Sequence, residues 1–196
     1  MGMPEEEREA KDLSNLNEVY LAIISRYKDY IEEKESISVA ELPTLVTPNG
    51  ETVSRKAGEI KAEFQDYFFD KDFYDAAMKA FNFVKDKVAT VVLPVQFWLT
   101  PEETLNFMVG DLMDKNVLLC SLLIRLGNPS TRVFVISKGG DKRTFIYFEF
   151  SGKVYVLDLD DGIKEYAGRD EMIEAQKLDD DTTAYEFNDK LYIDVS

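Results

Sequence analysis

Histidine is absent from all 196 residues, cysteine occurs once, at Cys120, and tryptophan once, at Trp98. Without an imidazole, the chain lacks the one side chain whose ordinary pKa lets it take and return a proton near neutral pH. A single cysteine excludes an internal disulfide and fits a reducing compartment, so a cytoplasmic location is expected. No apolar run approaches the ~20 residues of a membrane span. Met1 to Lys11 is acidic, unlike a signal peptide. Basic residues are also short, 23 Lys and Arg against 38 Asp and Glu, for a net charge of −15. Phosphate contacts need clustered lysine and arginine, and here these are scattered, so the balance points away from nucleic acid and toward a basic protein partner.

The chain does carry a 45% hydrophobic composition and enough length for one domain with a substantial core. Its organising stretch is Gly110-Asp111-Leu112-Met113-Asp114-Lys115 and the apolar residues that follow through Leu126. After Lys115 only Asn116, Ser121 and Arg125 interrupt them. A helix apolar on nearly every side has no solvent face and must run through the middle of a domain. Asp111 and Asp114 stand in its first turn, where carboxylates meet the helix dipole and the free N–H groups. Gly127 and Pro129 stop it.

Three sequence words stand in order: Pro101-Glu102-Glu103-Thr104-Leu105, then Gly110 to Lys115, then Leu122-Leu123-Ile124-Arg125-Leu126-Gly127. They resemble the transglutaminase-like superfamily, in which Pro-x-Glu-Thr-Leu leads into Gly-Asp-Cys-x-Asp-Lys and a leucine-rich helix ending in Leu-Gly. Val133 to Ile136, Thr144 to Phe150 and Gly152-Lys153-Val154-Tyr155-Val156-Leu157-Asp158 match the strands that follow in that family. The resemblance spans residues 94 to 160 and implies a papain-like fold with a Cys-His-Asp mechanism. The family's cysteine falls on Leu112. Its histidine falls on Arg143, or on Thr144 if the alignment slips by one residue, and its aspartate falls on Asp158. Leucine and arginine supply neither thiolate nor proton shuttle. The catalytic site is therefore expected to be degenerate, with Asp158 a relic or a structural acceptor. Gln96 and Trp98 stand where family members keep an oxyanion donor. Trp98 is expected to fill the cleft beside Leu112; the alternative is that Gln96 and Trp98 are remnants of that donor and line the cleft with Asp111 and Asp114. Cys120, eight residues beyond Leu112, lies mid-helix and reads as a core thiol.

The remaining segments frame this core. Residues 1–12 read as a frayed acidic terminus, and 13–88 as a helical part of the same domain. An amphipathic helix is expected from Leu13 to Ile31, then a loop with a short hairpin near Asn49-Gly50. Two further helices are expected, the first capped by Ser54 and the second by Asp70 or Asp72, with the cluster Tyr67 to Phe83 packed between them and the central helix. Residues 89–196 read as the transglutaminase-like core. There, Thr90 to Leu99 is expected to cross the core as an extended segment. A helix starts at Thr100-Pro101-Glu102-Glu103. Thr131 to Ser137, Arg143 to Phe150 and Lys153 to Leu159 form antiparallel strands. Arg169 to Lys177 is a short helix, and a terminal hairpin flanks Asn188-Asp189-Lys190.

Asp158, Asp160 and Asp161, and separately Asp179 to Asp181, lack the spaced ligands and distal glutamate of a calcium loop, so no metal and no cofactor is expected. The fold class expected is α+β, a buried central helix against an antiparallel sheet with additional N-terminal helices. The function expected is an inactive transglutaminase-like domain serving as a protein-binding or structural module. Two alternatives stand beside it. One is a hydrolase or transferase that uses Asp158 with Ser121, Thr144 or Lys115. The other is a DNA-repair accessory like the damage-recognition relatives of this fold.

Overall fold

From Arg132 onward the hydrophobic period is two, and it builds a six-stranded sheet. In the computed structural model, which describes residues 5–195 with side chains from residue 14 to 195, strands β3 (Arg132–Lys138), β4 (Asp141–Phe150) and β5 (Lys153–Asp158) form an antiparallel meander. β6 (Gly162–Tyr166) adds to one edge, and β7 (Thr182–Phe187) with β8 (Tyr192–Asp194) to the other, in the order β6-β5-β4-β3-β7-β8. The hairpin turns fall where glycine takes positive φ, at Gly139, Gly140 and Gly152.

Alternation gives the sheet two apolar faces. Val133, Val135, Ile146, Phe148, Leu157 and Phe187 belong to the larger core. Phe134, Phe145, Tyr147, Val154, Val156 and Ala184 point the other way and are covered by Met172 of helix α7 (Arg169–Ala175). The larger core is closed by α3 (Glu51–Ala62), α4 (Phe69–Lys87) and α6 (Leu112–Leu126). In α6, 11 of 15 residues are buried, which is the solvent-free helix its composition demands. Each fully buried leucine there contributes about 1.5–3 kcal/mol of transfer free energy. The Ser121 hydroxyl donates to the Val117 carbonyl at 2.8 Å and accepts the Thr47 N–H at 3.0 Å.

Two compact units divide the chain, Met1–Ser36 with Val92–Trp98, and Ile37–Val91 with Leu99–Ser196. The first holds α1 (Glu5–Arg26) and α2 (Lys28–Lys34), so the helix begins at Glu5, well before Leu13, and is interrupted at Tyr27. Residues 1–4 lie outside the described residues. The second holds everything else, including the short helix α5 (Pro101–Phe107) and two-residue strands β1 (Ala89–Thr90) and β2 (Val109–Gly110), which pair in parallel.

Several local expectations need correction. No hairpin forms at Asn49-Gly50; a 3-10 turn, Val39–Leu45, is set by a capping box between Ser38 and Glu41, and Gly50 caps α3 ahead of Ser54. The segment after Thr90 does not cross a core. Its pairing ends after two residues, Pro94 offers no donor, and Val92 is 95% exposed. The aromatic cluster packs among the helices as expected, with the Tyr67 hydroxyl donating to the Leu126 carbonyl at 2.8 Å, and it also reaches the sheet, with Phe73 against Phe148 and Phe150 and Tyr74 against Tyr155, while Phe68 remains exposed. β6 is a strand that the sequence pattern does not predict.

Candidate functional site

The entry to α6 is built by four residues with separate jobs. Gly110 is required sterically: a Cβ there would lie 2.9 Å from the Asp114 Cβ and 3.3 Å from Thr104 Cγ2. Asp111 and Asp114 then cap the helix reciprocally. The Asp114 N–H donates to Asp111 Oδ1 at 2.8 Å, and the Asp111 N–H donates to Asp114 Oδ2 at 3.0 Å. Asp114 also accepts the Leu99 N–H at 3.1 Å. Burial, and then the neighbouring Asp111 charge, push the Asp114 carboxyl up to about 6. Lys115 turns inward, its ammonium donating to the Val88 carbonyl at 2.8 Å and the Thr90 hydroxyl at 2.9 Å. Burial lowers its pKa. Leu112, the first residue of the helix, is partly buried against the larger core.

Thr144 reaches this entry from β4. Its hydroxyl lies 4.0 Å from Met113 Sδ, and its carbonyl, with that of Leu112, accepts from the Asn116 amide at 3.3 and 2.8 Å. Thr144 shares the face of Ile146 and Phe148, the helix side of the sheet. Arg143 and Asp158 do not share it. Each stands two residues from Phe145 or Val156 and so shares their face, the one toward α7.

On that side the two form a complete local cluster. Arg143 donates to Asp158 Oδ2 from Nε at 3.2 Å and from Nη2 at 2.8 Å, and to Asp161 at 2.8 Å. The other Asp158 oxygen accepts the N–H groups of Asp160 and Asp161, both at 3.0 Å. Asp158 is buried and fully engaged, with a guanidinium between it and Asp161 rather than an open acidic loop. Of the expected site residues, the structure thus joins Leu112 to Thr144 through Asn116, and Arg143 to Asp158, on opposite faces. Asp111 and Asp114 stand at the helix entry. Gln96 and Trp98 belong to the first unit, where the Gln96 N–H donates to Glu32 at 3.2 Å.

Cys120 is fully buried mid-helix, with its thiol 3.8 Å from the Thr131 carbonyl, and burial pushes its pKa far up. That is the opposite of an activated thiolate. Ser121 is wholly enclosed as well.

The sequence reading passed over one cluster. Glu186 of β7, fully buried beneath α7, takes Arg132, Arg169 at 3.1 Å and the Tyr147 hydroxyl at 2.7 Å. Burial, then the Glu186 charge, push Tyr147 up to about 12. The available signal was Glu186 at an inward position two residues after Ala184.

With this geometry in place, comparison with solved structures finds LapG of Legionella pneumophila at TM-score 0.50 and 17% identity, covering 80% of this chain and 87% of LapG. Its EGTA-treated form gives 0.51 and 16%, covering 82% and 87%. The chain shares its papain-like fold with LapG. A protein from Cytophaga hutchinsonii described as a candidate cysteine protease follows at TM-score 0.48 and 14% identity, covering 83% of this chain and 57% of that one. No protein-family model matches the sequence, and no curated protein does.

Proposed function

We propose that this chain is a papain-like domain that has given up catalysis and works by holding another protein. The observation that carries this is the entry to α6. The residue at the helix N-terminus, where the fold would hold its nucleophile, is Leu112, and the one thiol of the chain is enclosed eight residues further on. An N-terminal thiolate gains from the helix dipole, whereas a thiol in an apolar interior is held protonated. The carboxylate that would orient an imidazole is occupied by Arg143.

The residues available to a non-standard hydrolase are also engaged elsewhere. Ser121 bonds Val117 and Thr47, Lys115 bonds Val88 and Thr90, and Thr144 lies on the helix side of the sheet while Asp158 lies on the α7 side. A fold stripped of its chemistry keeps its surface, and a surface of net charge −15 favours a basic partner over a polyanion. Among the described residues no helix is long and apolar enough to cross a membrane.

Purified protein challenged with peptide amides, esters and amine acyl acceptors is expected to give only the uncatalysed rate. Turnover that disappears in Asp158→Ala would overturn the proposal in favour of an enzyme. Salt-sensitive binding to duplex or single-stranded DNA would overturn it in favour of damage recognition.

A further inference from the structure

Within the first unit, Leu16, Val19, Tyr20, Ile23, Tyr27 and Tyr30 are 44–61% exposed. Two i to i−4 hydrogen bonds meet at Tyr27, from its N–H to the Ile23 carbonyl and from the Ile31 N–H to the Tyr27 carbonyl, where the backbone itself leaves helical geometry between α1 and α2. Leu16, Val19, Tyr20 and Ile23 lie on α1, and at 100° per residue the spacing of all six falls within an arc of about 100°. Leu16, Tyr20, Ile23, Tyr27 and Tyr30 are separated by four, three, four and three residues, the seam spacing of a two-helix coiled coil. Isolated exposed apolar residues are ordinary, but six at this spacing along α1 and its continuation are not.

We propose that the chain pairs with a second copy of itself, antiparallel, along this stripe. Six side chains about half exposed present roughly 600–700 Å² per copy, so a pair buries about 1,300 Å² in total, within the range of a stable specific interface. Charge sets the direction. Residues 5–18 carry six acids and two bases, whereas residues 26–34 carry three of each. A parallel pair sets the two acidic ends side by side, and an antiparallel pair sets each beside Lys28 and Lys34. Pairing of this kind is independent of what the second unit binds.

Sedimentation equilibrium of the full chain is the test. A dimer is expected at concentrations on the order of 100 µM or below. Tyr20→Glu with Ile23→Glu is expected to raise its dissociation constant at least tenfold, while the uncharged change Ser25→Gln, on the outer side of the helix, leaves it unchanged. Thermal melting followed at Trp98 fluorescence and by far-ultraviolet circular dichroism verifies that the variants remain folded. A wild-type monomer throughout that range, or a dimer indifferent to the double substitution, would overturn the proposal.

Discussion

Asp114 closes the α6 cap and accepts a second backbone N–H from Leu99 while almost wholly buried. Its carboxyl titrates near 6 in the fold, above its ordinary value of 3.8. A raised carboxyl favours the folded state fully below the unfolded pKa, and that contribution is lost as pH rises through the folded one. This one group therefore makes the protein less stable at pH 7 than at pH 4, by on the order of 2–3 kcal/mol. Asp114→Asn is expected to flatten that part of the stability profile between pH 4 and 6, at a cost of about 1 kcal/mol for the N–H that the amide cannot accept. Urea unfolding across this range measures it, and an unchanged slope would mean that another group is responsible. At this scale the sequence was most legible where partners are close in the chain, as in Gly110, Asp111, Asp114 and Lys115. Arg143 with Asp158, and Glu186 with Arg132 and Arg169, were not legible. They lie 15, 54 and 17 residues apart and meet only through strand register.

Among the elements, a one-residue choice decides which face of the sheet a side chain joins. The sequence resemblance puts the histidine position on Arg143, or on Thr144 if the alignment slips by one residue. The structure separates them, with Thr144 beside Met113 at the α6 entry and Arg143 turned toward Asp158. Leu112→Cys with Thr144→His is therefore expected to raise the alkylation rate of the new thiol at pH 7 about tenfold over Leu112→Cys alone, as an imidazolium lowers a neighbouring thiol pKa. Leu112→Cys with Arg143→His is expected not to. The reverse ranking would contradict this placement of the two strand positions. The helices α5, α6 and α7 and the β3-β4-β5 meander were readable because caps, periodicity and glycine turns act locally. Strand β6 and the exposed course of Val92 to Trp98 were not, because each depends on whether an edge or a neighbour is available to pair with.

For the molecule as a whole, the core is held by apolar packing on both faces of one sheet, and the residues around the α6 entry and the end of β5 have structural jobs. Gly110 fits where no Cβ does, Asp111 and Asp114 cap a buried helix, and Asp158 anchors a loop and an arginine. None of these jobs requires a nucleophile. The measurement that tests this most directly is the alkylation rate of Cys120, native against denatured. The account predicts native labelling slower by several orders of magnitude, limited by opening of the fold. Native labelling faster than the denatured control would reveal an activated thiolate and contradict it.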